Sequence, residues 1–214
     1  MKLLAEAVGS FLFMFVIGLV AVSGDPAFVP LYIGLALAAM VYMAGHISGA
    51  QFNPAVTVAV LMRGKMKSQE VLPYILAQIV GSVAAFGLAS YITGRSVAIA
   101  PGEGVDIMRA LIVEVVFTMM LVLTVLNVAT HKKTAGNSFY GLAIGLVIVA
   151  AAGAGGAISG GAYNPAVAIG ATLVNALKDG GTWSHLWLYL VGPTLGGVLG
   201  AIVFNAMSPA EERD

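Results

Sequence analysis

Two stretches decide how this chain folds: "ISGGAYNPAVAI" at 158–169 and "ISGAQFNPAVTV" at 47–58. They agree, position for position, at Ile, Ser, Gly, Asn, Pro, Ala and Val. Each sets an Asn-Pro pair into apolar surroundings. Of the 214 residues 59% are hydrophobic and 9% charged, and the mean hydropathy is +0.96. Soluble domains carry about 25% charged residues, so this composition belongs in lipid. Cysteine is absent, which excludes disulfides and thiolate metal sites. The formal net charge of zero argues against nucleic acid as a partner. The N-terminal apolar stretch is too long for an ordinary signal peptide, and no polar mature domain follows it.

Six long apolar segments lie near 3–23, 28–46, 70–94, 107–130, 137–156 and 184–207. Each approaches the roughly 20 residues that a helix needs to cross the hydrocarbon core. Two shorter segments follow the Asn-Pro pairs, near 53–62 and 164–177, and are too short to span. With six crossings and an inside N-terminus, the inner side collects Lys2, Arg63, Lys65, Lys67, Lys132, Lys133 and Arg213. Arg95, Arg109 and Lys178 remain outside. The positive-inside rule then expects both termini in the cytoplasm, with the protein in the inner (plasma) membrane of its cell.

The chain is a duplication within one domain, 1–214. Asn53 and Asn164 stand 111 residues apart, and the membrane carboxylates Glu6 and Glu114 stand 108 apart. "AQIVGSVAA" (77–85) and "VGPTLGGVLG" (191–200) share their spaced small residues. The repeats run over about 1–95 and 107–214. Three crossings per repeat invert the second copy relative to the first, and such folds place their site near the midplane where the repeats meet.

The chemistry of one element follows from its residues. Irregular backbone survives at membrane depth only when buried in protein or facing a watery cavity. "AGHISGAQF" and "AGAGGAISGGAY" suit an extended path whose unused carbonyls form a ladder of acceptors. Pro54 and Pro165 favour the first helical position, and Asn53 and Asn164 the cap before it. Ala55 and Ala166 complete the two Asn-Pro-Ala elements. Two short helices then meet by their N-termini, and their dipoles put positive potential at the centre. Such an arrangement admits a small neutral molecule with a lone pair and turns away cations and protons. The residues therefore imply a passive pore for small uncharged solutes.

These stretches resemble the major intrinsic protein family, the aquaporins and aquaglyceroporins. The resemblance rests on "AEAVGSFLFMFVIG" (5–18), "GHISGAQFNPAVT" (45–57), "AQIVGS" (77–82), the second NPA (164–166) and "LYLVGPTLGG" (188–197). It covers essentially the whole chain in order. It implies an all-α membrane protein, a right-handed bundle of six transmembrane helices and two half-helices. It also implies a homotetramer in the lipid bilayer with one pore per subunit, water and small neutral solutes as the permeants, no cofactor, and Asn53 and Asn164 as the central donors. Most members place Arg directly after the second NPA; here Val167 stands there. Counted without gaps from the NPA elements, the other positions of the family's outer constriction fall on Ile33, Ala152 and Gly161. That set has no aromatic, histidine or charge. It implies a wide apolar throat for neutral metalloid acids of the arsenite type, urea, ammonia or small polyols, with an ordinary water channel as the alternative.

Other residues have competing readings. Glu6 and Glu114 either relay protons or accept hydrogen bonds from N–H groups of the interrupted loops, and their symmetric placement favours the second. His46 lines the inner vestibule or bonds a neighbouring carbonyl. His131 and His185 fall at the interface, with Trp183, Trp187 and Tyr189 as an aromatic belt. Gly9, Gly18, Gly81, Gly87, Gly196 and Gly200 are expected at close helix approaches. A secondary transporter shares inverted repeats but needs coupling-ion ligands beyond two acids. An intramembrane enzyme lacks any nucleophile–base pair or metal cluster in this sequence. Neither explains the doubled NPA.

Overall fold

The computed structural model describes residues 1–181 and 183–208. Among these the regular elements are all helical. They are α1 (Lys2–Ser23), α2 (Val29–Ser48), α3 (Pro54–Met62), α4 (Ser68–Thr93), α5 (Ile107–Thr130), α6 (Tyr140–Ser159), α7 (Pro165–Asp179) and α8 (Leu186–Met207). A single 3-10 turn, Lys132–Thr134, joins α5 towards α6. Six helices, of 20 to 26 residues, are long and apolar enough to cross a membrane. The other two, α3 with 9 residues and α7 with 15, do not qualify. At about 1.5 Å per residue they are shorter than the ~30 Å hydrocarbon core.

Observed helix limits follow the apolar pattern, with one systematic difference. The extended path expected over "AGHISGAQF" and "AGAGGAISGGAY" is mostly helix, because α2 and α6 continue to Ser48 and Ser159. Runs of Gly and Ala lower helix propensity in water, but packing inside a bundle overrides it. What stops both helices is a left-handed residue that favours glycine. Gly49 has φ +89 and Gly160 φ +91, and their N–H groups bond back to the Gly45 and Gly156 carbonyls at 3.1 and 2.9 Å. Only 49–53 and 160–164 are irregular.

The two repeats pack alike. Helix α1 lies against α4 as α5 lies against α8, and α2 crosses α6 between the halves. At that crossing a Cβ on Gly34 would stand 2.5 Å from the Gly145 carbonyl oxygen, and one on Gly145 2.3 Å from that of Gly34. These glycines are 111 residues apart and were not singled out by the sequence reading. Gly81 and Gly196 do serve close approach, to the Ala7 and Val115 carbonyls. Gly87 does not: a Cβ there meets nothing within 4 Å, so no neighbouring helix requires a glycine.

Both half-helices are packed against the spans, α3 on α8 and α4, and α7 on α4 and α8, and they touch each other. Basic residues gather at one end of the bundle. There Lys2 pairs with Glu70 at 3.1 Å, Arg63 donates to the Thr130 carbonyl at 3.4 Å, and Lys65 and Lys132 border one cavity. At the opposite end Arg95 donates to the Val22 carbonyl at 2.9 Å and Lys178 to that of Ser90 at 2.8 Å. Arg213 lies outside the described residues.

Candidate functional site

Asn53 and Asn164 each adopt extended backbone just before a helix that begins with proline. Each side-chain oxygen caps its own helix by accepting from the N–H of Ala55 or Ala166 at 2.9 Å. Each amide nitrogen crosses to the other repeat. Asn53 Nδ2 donates to the Tyr163 carbonyl and Asn164 Nδ2 to the Phe52 carbonyl, both at 2.9 Å. An amide NH2 carries two hydrogens, so one N–H per asparagine is left beyond this reciprocal tie. Both asparagines border the central cavity described below. Two helix N-termini face the same place, and their partial positive charges reinforce the donors.

Holding the loops in this shape is expensive. Phe52 and Tyr163 both sit at φ +49 and Ala50 at φ +47, in the left-handed region that costs a non-glycine residue about 1–2 kcal/mol. Gly161, the counterpart of Ala50, has φ +69. Two buried carboxylates hold the strained segments. Glu6 accepts from the Ser48 hydroxyl at 2.7 Å, from the N–H groups of Gln51 and Phe52 at 3.0 and 2.8 Å, and from Gln78 Nε2 at 2.8 Å. Glu114 accepts from the Ser159 hydroxyl at 2.7 Å and from the N–H groups of Ala162 and Tyr163 at 3.0 and 2.7 Å. Both carboxylates are fully buried, and neither borders any of the three cavities described below. The loop-acceptor arrangement is thus present in the structure.

The phenol of Tyr74 donates to the Ser48 carbonyl at 3.0 Å and that of Tyr189 to the Ser159 carbonyl at 2.5 Å. Tyr189 is therefore no belt residue. Trp183 and Trp187 are exposed, whereas Tyr189 is fully buried. Among the described residues the carbonyls of 49–51 and 160–162 receive no hydrogen bond from the protein. The acceptor ladder exists, but it is three residues long in each repeat.

Three cavities follow one another through the bundle. A narrow central one of about 50 Å³ lies between one of about 630 Å³ at the end that carries Lys65 and Lys132, labelled inner, and one of about 640 Å³ at the Arg95 end, labelled outer. Ile17, Ile33, Ala152 and Gly161 border both the central and the outer cavity, and Val167 borders the outer. All four residues singled out for an outer constriction thus surround one mouth. His46, exposed on α2, borders the inner cavity with Lys65 and His131. The ring of His131 also packs edge-on against Phe204.

Sequence reasoning missed most of the lumen wall. Ile33, Leu37 and Val41 on α2 and Ile144, Ile148 and Ala152 on α6 form two stripes at helical spacing, offset by 111 residues. Phe13 and Ile17 on α1 match Leu121 and Val125 on α5 at the 108-residue offset of the glutamates. Superposing the repeats and asking for i, i+4 apolar pairs would have found them. The basic side chains bordering these cavities are Arg95 at one mouth and His46, Lys65, His131 and Lys132 at the other; no carboxylate borders the three. Among the described residues no three His, Asp or Glu side chains are grouped to hold a metal.

The sequence profile described as Major intrinsic protein matches residues 1–204. The chain is 35% identical over 214 residues to Aquaporin NIP1-1 of Zea mays, covering 95% of this chain and 73% of that protein. It is 34% identical to Glycerol uptake facilitator protein-like 6 of Lactiplantibacillus plantarum, covering 96% of this chain and 97% of the relative. The aquaglyceroporin structure from Plasmodium falciparum superposes with a TM-score of 0.84 at 23% identity, over 96% of this chain and 95% of that one.

Proposed function

We propose, starting from the fact that the chain belongs to the major intrinsic protein family, that its outer throat is cut for neutral solutes larger than water. Membership makes it an integral membrane channel for water and small solutes, and not an enzyme. The finer reading rests on one observation. Ile33, Ala152, Gly161 and Val167 bring no charge, no aromatic ring and no side-chain hydrogen-bond donor to the mouth they border, and the two polar side chains beside them are tied elsewhere, Arg95 to the Val22 carbonyl and the Ser96 hydroxyl to Asp179. At these four positions a passing solute meets no fixed group that it must clear or pair with. Neutral metalloid acids, urea, ammonia and small polyols fit this throat, and the name of the Lactiplantibacillus plantarum relative points to glycerol for that protein. Beyond the throat, Asn53 and Asn164 supply the donors that replace lost hydration, while the two helix N-termini repel cations.

The remaining parts of this reading follow from the same geometry. Glu6 and Glu114 are the props of the two loops, and His46 belongs to the inner vestibule. The basic end of the bundle faces the cytoplasm, as the positive-inside rule requires. Only 33–44% of each spanning window is buried within the single chain, which leaves broad apolar faces for lipid and for the neighbours of a homotetramer. The test is uptake into proteoliposomes. Wild type should pass glycerol, urea and arsenous acid as well as water, and Val167→Arg should cut the solutes at least about tenfold while sparing water. Tenfold corresponds to a barrier change of about 1.4 kcal/mol. If wild type and Val167→Arg passed the solutes equally, the valine would not set the throat.

A further inference from the structure

Three side-chain amides border the central cavity: Asn53, Asn164 and Gln51. The asparagines are committed to capping and to each other's loops. Gln51 is not. It is 9% exposed and borders both the central and the inner cavity, at the inner end of the narrow part. Its Oε1 has no hydrogen-bond partner, and its Nε2 reaches only the Met66 sulfur at 4.0 Å. A buried amide oxygen without a partner is uncommon and costs free energy, so it needs an explanation.

The fold does not supply one. The backbone N–H of Gln51 is the group that binds Glu6, and any residue provides an N–H. The corresponding position in the second repeat is Ala162, whose N–H binds Glu114 in the same way with no polar side chain at all. Around Gln51 the wall shared by the two cavities is otherwise Val41, Ala50, Val125 and Ile144. A solute stripped of water here finds one side chain able to compensate it.

Resting on the reading that solutes larger than water use this pore, we infer that Gln51 is a specificity-determining residue favouring urea and small carboxamides. Oε1 is sealed from solvent as the side chain stands; a turn about the Cγ–Cδ bond, which gives up only the 4.0 Å contact with the Met66 sulfur, presents the lumen with an amide edge, the acceptor Oε1 beside the donor Nε2–H. Urea and carboxamides carry the complementary edge, so two parallel hydrogen bonds form at once. The solute N–H satisfies the stranded Oε1, and the solute carbonyl accepts from Nε2. A polyol hydroxyl matches one of the two positions at a time. From Gln51 the same solute carbonyl passes on to the free N–H groups of Asn53 and Asn164, so the stations lie in sequence along the lumen.

Proteoliposomes carrying wild type, Gln51→Met, Gln51→Leu or Gln51→Asn, challenged with urea, acetamide, glycerol and water, test this. Loss of two neutral hydrogen bonds of ordinary strength lowers urea and acetamide permeation about tenfold in the Met and Leu variants. Glycerol falls about threefold, the loss of one such bond, and water less than about twofold. Gln51→Asn keeps an amide with shorter reach and recovers part of the urea flux, which a purely steric role does not produce. Unchanged urea flux overturns the inference, and so does a proportional fall of urea, glycerol and water. If wild type passes water but no solute, it is the wide-throat reading that has failed. The comparison is then made in an Ile33→Ala background, which opens the throat, and equal urea flux with Gln51 and with Gln51→Met there overturns the role of Gln51 by itself.

Discussion

At the scale of single residues, the loops are held by acceptors placed where strained backbone presents its donors. Removing the carboxylate by Glu6→Ala leaves two backbone N–H groups, a hydroxyl and the Gln78 amide without their acceptor; Glu114→Ala leaves two N–H groups and a hydroxyl. Each abandoned buried donor costs about 1–3 kcal/mol. Both variants should therefore melt well below wild type in detergent, with Glu6→Ala the worse of the two. Melting within error of wild type would show that the loops hold themselves. Gly161 makes a second demand. At φ +69 an alanine there is strained by about 1 kcal/mol, and its Cβ would stand 3.1 Å from Gly156 Cα at the edge of the throat. Gly161→Ala should lower both thermal stability and glycerol flux. Lower stability with unchanged flux would remove Gly161 from the throat.

At the scale of elements, the outer mouth is built from the first turn of α7 on one side and the loop after α4 on the other. Arg95, Ser96, Val97, Ala98 and Ile99 border it, together with Val167. The loop is tied at both ends. Asp179, the last residue of α7, accepts from the N–H and the hydroxyl of Ser96, and Asn175 Nδ2 donates to the same hydroxyl at 2.8 Å. Further on, the Gly102 N–H bonds the Ile158 carbonyl at 3.0 Å. The Ser96 contacts hold the Asp179 carboxyl below the usual carboxylate range, with Lys178 adding to the effect. A lowered pKa means that the tie is intact at neutral pH and is lost only as pH falls through that lowered value. Asp179→Ala should speed amide exchange across 97–100 about threefold at neutral pH, the scale of an exposed charged contact. Acidification to pH 5 should leave the wild-type protection of 97–100 unchanged once the intrinsic slowing of exchange at lower pH is divided out. Exchange that is already fast in wild type would contradict the tie.

Element boundaries were legible because apolar runs, Asn caps and Pro starts all point the same way. The left-handed glycines at 49 and 160 were legible as glycines but not as the only breaks, since Gly and Ala also fill helix that packing stabilises. Ile33, Ala152, Gly161 and Val167, reached by counting from the Asn-Pro pairs, border one cavity. The long lumen stripes escaped notice because Leu37 or Ile148 looks, in sequence, like any other apolar residue of a span. Tyr189 was misplaced for a related reason. A tyrosine near two exposed tryptophans reads as interfacial until its hydroxyl is seen on the Ser159 carbonyl.

At the scale of the whole molecule, the inverted duplication explains why so little chemistry suffices. Each repeat contributes one capped half-helix, one buried glutamate and one lumen stripe on each of two helices, and the halves supply each other's carbonyls. With the basic end proposed to face the cytoplasm, residue 67 lies inside and residue 103 outside. Because the chain has no cysteine, single cysteines introduced at Lys67 and Glu103 report sidedness without background. An impermeant thiol reagent applied to intact cells should label Glu103→Cys and not Lys67→Cys, and the reverse pattern would invert the orientation.

The most direct measurement of the central claim is stopped-flow light scattering on vesicles with and without the protein, using water, glycerol, urea and arsenous acid side by side. A wide uncharged throat in a passive pore predicts faster entry of all four through the protein, without saturation and without response to an ion gradient. Water passing alone, or solute entry that saturates or follows an ion gradient, would contradict it.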